Sequence, residues 1–211
     1  MKTMYLKGLL FVAIAATISG CTKENDYDLQ DFTSYLFYED FSKNPADNTT
    51  LDTPGWINYN ETGSMKWKEQ VYQHNPYAEF TSFQSNDDVN IGWLISPSIN
   101  MDLYEGEKLT FETAMAYVTS GSNSIEVLIS TNFDDTNSDR AAAIAAANWE
   151  TLSANLPGTN ATYFEFLPSG VIDLSGYTGN IHLAYKVKGS GNNTALDGSY
   201  QVDNIRITYN Q

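Results

Sequence analysis

An all-β fold built as an antiparallel sandwich is what this 211-residue sequence predicts, and three observations carry the prediction. Several stretches alternate apolar and polar side chains with a period of two, as strands with one buried face do. Clusters such as Ser120-Gly-Ser-Asn123 and Gly189-Ser-Gly-Asn-Asn193 separate these stretches as turns. No strand–helix–strand alternation occurs that would build a parallel sheet.

Taken in order, strands are expected at 35–41, 56–60, 65–72, 77–84 and 90–97. Trp67 shares its phase with Met65 and Val71, and Trp93 with Ile91 and Ile95, so both indoles are expected in the core. The run from Glu107 to Val118 places Leu109, Phe111, Met115 and Tyr117 in one phase, and Ser124–Thr131 does the same with Ile125, Val127 and Ile129. One helix interrupts, Ser138–Asn148, with a capping serine, an alanine-rich body and an asparagine stop. Ile144 is its sole large apolar residue, so it is expected as a connection lying over a sheet edge. Strands at 149–152, 162–167, 180–189 and 200–209 complete the set; in the third of these Ile181, Leu183, Tyr185 and Val187 point inward and Lys186 and Lys188 outward. No internal repeat and no long linker occurs within 35–211, which reads as one domain.

The first twenty residues stand apart. Lys2 and Lys7 precede the apolar run Gly8–Thr17, too short to span a bilayer as a helix, and together they describe a secretory signal peptide over 1–20. Ile18-Ser-Gly-Cys21, with the single cysteine of the chain, resembles a bacterial lipobox, in which that cysteine is lipidated and becomes the new N-terminus. The alternative is a free thiol in an ordinary signal sequence. Residues 21–34 form a polar, mainly acidic tether; acidic residues after a lipidated cysteine resemble the surface-export signal of gram-negative lipoproteins. A formal charge of −15 and a pI near 4.2 repel nucleic acid and anionic lipid alike, so the expected membrane contact is through the lipid anchor only.

The ordered set Tyr38-Glu-Asp-Phe41, Gly55-Trp56, Lys66-Trp67, Gly92-Trp-Leu-Ile-Ser-Pro97, Ile99-Asn-Met-Asp102, Ile125–Thr131, Asn148-Trp149, Ser169–Ser175, Ile181–Tyr185 and Gln201-Val-Asp-Asn-Ile205 resembles the choice-of-anchor J domains. The cleaved adhesin domains of gingipain-type proteases and the MAM domain are similar. The resemblance covers about 36–209 and implies a two-sheet jelly roll, often calcium-bearing, used for adhesion or binding. The stretch 134–147 is a larger insertion than the resemblance leads one to expect.

Strand phase places Glu39 with Tyr35, Phe37 and Phe41, and Asp203 with Ile205 and Ile207, so both carboxylates are expected among large apolar side chains. Such groups need a partner or a ligand, and calcium takes 6–8 oxygens. Matching residues in the similar families serve as calcium ligands, which the resemblance carries onto Glu39 and Asp203, with Asp40 and Asn204 weaker. The alternative is strand ends reaching solvent, or pairing with Arg206 or a lysine. Asn132–Asp139 is a second calcium candidate, dense in oxygen ligands but lacking the glycine and terminal Glu of an EF-hand loop, and the favoured reading is an Asx-rich turn capping the helix. Among the aromatics, Trp56, Tyr72 and Tyr77 are the expected exposed platforms for a sugar. His74 and His182 lack an evident partner, and no zinc or nucleophile motif occurs. The expected function is a non-catalytic, surface-anchored module binding glycan or a partner protein. The alternatives are an accessory subunit of a surface complex, or a glycoside hydrolase or lyase.

Overall fold

The computed structural model describes residues 34–210. The signal peptide at 1–20, Cys21 and the tether up to residue 33 lie outside the described residues.

In chain order the strands are β1 (Tyr35–Glu39), β2 (Thr49–Thr50), β3 (Ile57–Thr62), β4 (Lys68–Tyr72), β5 (Asn75–Thr81), β6 (Asn90–Ile95), β7 (Ile99–Asn100), β8 (Lys108–Ala116) and β9 (Ser124–Ser130). After helix α1 (Arg140–Ala146) come β10 (Glu150–Thr151), β11 (Leu167–Pro168), β12 (Ile172–Asp173), β13 (Asn180–Gly189) and β14 (Ser199–Thr208). They form two antiparallel sheets, as the alternation predicts. The first runs β11-β8-β14-β5-β4-β2, with β1 joined to β14 and β12 to β8; the second runs β10-β9-β13-β6-β3, with β7 joined to β13. The first and last strands pair directly, Tyr38 opposite Arg206 and Glu39 opposite Ile205.

The inner faces hold the side chains that period-two alternation assigns to them. Leu109 and Phe111 of β8 and Ile181, Leu183, Tyr185 and Val187 of β13 are all buried in one cluster with Trp67 and Phe80. Rings interlock across it, Phe111 edge-on to Tyr185 at 5.4 Å and Trp67 against Phe80 at 5.7 Å. Gly92 of β6 gives Phe80 its place, because a Cβ there would stand 2.0 Å from the ring.

A second apolar cluster lies on the other face of the second sheet. Trp93, Ile95, Leu128 and Ala184 pack there with Phe133, Ala143 and Ile144. Helix α1 therefore covers a sheet face rather than an edge. Its N-cap is Asp139, whose carboxylate accepts from the Ala142 N–H at 3.0 Å, not the predicted Ser138. Upstream, Asp134 accepts from the Thr136 N–H and Asn137 from the Asp139 N–H, the Asx turns expected of Asn132–Asp139.

Three departures from the predicted strands matter for function. Strand β8 ends at Ala116, and Tyr117 follows with φ +62, leaving its ring 59% exposed instead of inward. The predicted strand at 162–167 is a loop up to β11, with Phe164 at φ +60. In β14 the register shifts between Asp203 and Arg206, with Asn204 at φ +52. A single residue in this conformation makes a β-bulge and reverses the inward–outward phase beyond it.

Candidate functional site

The bulge at Asn204 separates the two carboxylates that the phase argument joined. Val202, Ile205 and Ile207 all belong to the core cluster, which leaves Gln201 and Asp203 on the opposite face of the sheet. Glu39, paired with Ile205, turns to the core margin. Its Oε2 accepts from Trp56 Nε1 at 3.1 Å and its Oε1 from the Phe41 N–H at 2.7 Å. Asp203 is 1% exposed and accepts from Asn75 Nδ2 at 3.0 Å, the Asn204 N–H at 2.6 Å and Asn204 Nδ2 at 3.2 Å. Burial pushes its carboxyl up to about 6, with the charges of Glu112 and Asp40 adding to the rise. Asp40 itself is raised by burial but is held low overall by hydrogen bonds from Ser42 and Tyr38. The groups acting on Asp203 are thus Asn75, Asn204, Glu112 and Asp40, not Glu39. Among the described residues no three His, Cys, Asp or Glu side chains gather closely enough to hold a metal by themselves.

The indole of Trp56 is not an open platform. It is 9% exposed and packs between Phe37 and Phe41, with ring centroids at 6.1 and 5.6 Å. Its place depends on Glu39: in Glu39→Ala the indole N–H loses its acceptor, and a loss of about 1–3 kcal/mol of stability in denaturant unfolding is expected. Tyr72 is exposed, at the tip of the β4–β5 hairpin. Tyr77 is half-buried under Phe166, edge-on at 5.5 Å, and burial together with the Glu79 charge pushes its hydroxyl up to about 12. His182 is buried, and its Nε2 lies 3.4 Å from an Asp135 carboxylate oxygen. It has the partner that the sequence did not reveal, and burial, partly offset by Asp135, lowers its pKa.

The exposed aromatics gather elsewhere. Phe166, next to β11, reaches Tyr77 of β5 across β8 and β14, and so covers one part of the first sheet's outer face. Beyond this cover, a pocket of about 530 Å³ opens beside Tyr117. Phe83, Tyr117, Tyr163 and Phe164 line it and are 57, 59, 43 and 49% exposed. Tyr117 touches Tyr163 at 4.9 Å and Phe164 at 6.1 Å. The Phe164 N–H donates to the Met115 carbonyl at 2.8 Å, which ties the loop to β8. Gly198 holds Tyr117 from the other side, since a Cβ there would stand 2.7 Å from the Val118 nitrogen.

The pocket's floor is polar. Glu79, Thr81 and Ser199 line it with Asp197. Gln201 Nε2 donates to Glu79 at 2.6 Å and to Ser199 Oγ at 2.7 Å, while Gln70 Nε2 donates to the other Glu79 oxygen at 3.2 Å. Both oxygens of Glu79 are thus held by amide donors. Four exposed rings around fixed oxygen acceptors make a concave site with an apolar wall and a few oriented polar groups. Tyr117 and Phe164 sit there at positive φ, a conformation that costs a bulky residue of order 1–3 kcal/mol.

The sequence reading missed these rings because Tyr117 continues an alternating run and Tyr163-Phe164 reads as strand. The available signal was adjacency. Two neighbouring large rings on a strand point to opposite faces, and Tyr163-Phe164 follows the turn-rich Pro157-Gly-Thr-Asn160.

A family model described as a domain of unknown function (DUF5017) matches residues 100–210. No curated protein matches the sequence. Among solved structures, the K3 cleaved adhesin domain of Lys-gingipain from Porphyromonas gingivalis is similar with a TM-score of 0.50 at 14% identity, over 84% of this chain and 100% of that one. The K1 cleaved adhesin domain of the same protein has a TM-score of 0.46 at 18% identity, over 83% of this chain and 98% of that one. The CBM22-2 xylan-binding domain of Paenibacillus barcinonensis Xyn10C has a TM-score of 0.43 at 13% identity, over 83% and 99%. The K3 domain supports the fold, a two-sheet β-sandwich.

Proposed function

The chain belongs to the DUF5017 family, and from that premise we propose that it is a non-catalytic binding module that holds a glycan in the pocket beside Tyr117. The observation that carries this reading is the set of exposed rings, two of them in strained backbone, around acceptors fixed by Gln70 and Gln201. The rings offer flat faces to the C–H side of a pyranose, while Glu79, Ser199 and Asp197 accept from its hydroxyls. A lipid anchor at Cys21 followed by the acidic tether would hold this pocket away from the membrane on the cell surface. A glycan array with the purified domain tests the reading, alongside pull-downs from the cell envelope. Saturable binding to one glycan class supports it; retention of protein partners alone, with no glycan bound, contradicts it and favours the accessory-subunit reading.

The Asp203 carboxylate supports a second proposal, a structural calcium ion completed by oxygens of Asp40 and water rather than by Glu39; Asn204 turns its amide nitrogen to Asp203, and its oxygen accepts from Arg206 at 2.8 Å. The sign of the pH dependence tests it. In chelator the folded carboxyl titrates at about 6 against an ordinary 3.8, so the native state binds more protons in between. Stability is then fully present below the unfolded value and falls as pH rises through the folded one. The expected loss is at most about 2 kcal/mol once solvent screening is allowed for. Bound calcium keeps the carboxylate charged and removes this loss, as does Asp203→Asn. Thermal unfolding at a series of pH values, in chelator and in calcium, reads both effects. A parent profile that calcium leaves unchanged would refute the ion.

A further inference from the structure

We infer that the groove between α1 and the second sheet is a separate binding site for a neutral pyranose, and that building it is the role of the 134–147 insertion. Helix α1 seats Ala143 and Ile144 on the sheet and turns Ala141 and Ala145, four residues apart and so on one side of the helix, to a groove of about 500 Å³. Trp149 ties helix to groove: its Nε1 donates to the Ile144 carbonyl at 3.3 Å, and its ring lies 5.3 Å from that of Trp93.

Opposite the helix, one row of side chains crosses four strands. Tyr59 pairs with Trp93, Trp93 with Lys186, and Lys186 with Glu126. Trp93 Nε1 donates to Glu61 at 2.7 Å, and the Lys186 ammonium stands 4.8 Å over the Trp93 ring and 3.8 Å from Glu61. The groove therefore presents the half-buried Trp149 indole and the half-buried Tyr59 phenol, with Trp93 buried beneath the Lys186 ammonium, together with both a carboxylate and an ammonium. An alkyl chain would leave those charges desolvated. An anion would meet Glu61 and Glu126. A ring that is apolar on one face and carries hydroxyls, each able to donate and accept, answers every group present. The alanines keep the opposite wall thin enough to admit it. This site faces outward from the second sheet, whereas the pocket beside Tyr117 lies on the first, so the module is bivalent.

The indoles make the site separately observable. Trp56 and Trp67 belong to the core, Trp93 and Trp149 line the groove, and the pocket beside Tyr117 is lined by Tyr and Phe with no Trp. The test is the indole N–H signals of Trp93 and Trp149 in NMR spectra of the protein. D-glucose, D-galactose, D-mannose, D-xylose and N-acetylglucosamine are each titrated to about 10 mM, where weak single-ring binding saturates. At least one sugar is expected to shift both signals saturably, in the parent and equally in Tyr117→Gly. Filling the groove with Ala145→Phe is expected to weaken that response at least tenfold at an unchanged unfolding midpoint; Ala141→Phe serves if the first variant fails to fold. Three results would overturn the inference: no saturable shift with any of the five sugars, a shift that survives the filled groove, or one that disappears in Tyr117→Gly.

Discussion

Gly92→Ala is expected to lower the midpoint of thermal unfolding by about 10 °C. Gly92 lies inside the second sheet, paired with Val187 on one side and Asn60 on the other. Its missing Cβ would stand 2.0 Å from the Phe80 ring. That ring is fully buried and backed by Trp67, so neither the strand nor the ring can retreat without opening the contact between the sheets. Overpacking of this kind costs about 3 kcal/mol at the upper end of its range, and a domain of this size loses about 2–4 °C per kcal/mol. Pairing the substitution with Phe80→Leu should recover part of the loss, because the same atoms cause both changes. Scanning calorimetry of the two single variants and the double variant measures that coupling. A fully additive double variant would show that the clash lies elsewhere.

Tyr117→Gly is expected to weaken glycan binding by at least about 30-fold, or about 2 kcal/mol, as the loss of a central aromatic anchor does. The same change should alter stability by no more than about 1 kcal/mol. Two opposing terms produce that small net effect. Glycine relieves the φ of +62 that tyrosine holds at a cost, and the lost contacts with Tyr163 and Phe164 are worth a comparable amount. A residue kept for packing would show the reverse pattern, a clear loss of stability with binding intact. Calorimetric titration beside thermal unfolding separates the two.

Much of the fold was legible because its signal is local. Ile181, Leu183, Tyr185 and Val187 alternate, and the core receives all four; the same period gave Trp67 its burial. The reading failed where one residue takes a left-handed conformation. At Asn204 the phase reverses, which moves Asp203 to the other face and replaces Glu39 by Asp40 and Glu112 among the groups acting on it. At Tyr117 and Phe164 the same conformation turns rings outward that a continued strand would have aimed elsewhere. Nothing in the identity of tyrosine or phenylalanine announces that conformation; it is imposed by contacts distant in sequence, such as the close approach of Gly198 to Val118. Trp56 failed for a related reason. Its strand neighbours Asn58 and Asn60 suggested a polar face, but Glu39, seventeen residues away, supplies the acceptor that buries the indole.

The central claim is that the pocket beside Tyr117 holds a glycan, and amide chemical-shift mapping with the strongest glycan from the array tests it most directly. The expected result is a contiguous set of shifted amides at Thr81, Tyr117, Phe164 and Ser199, around the polar floor and the exposed rings. Saturable binding that leaves those four amides unmoved would contradict it.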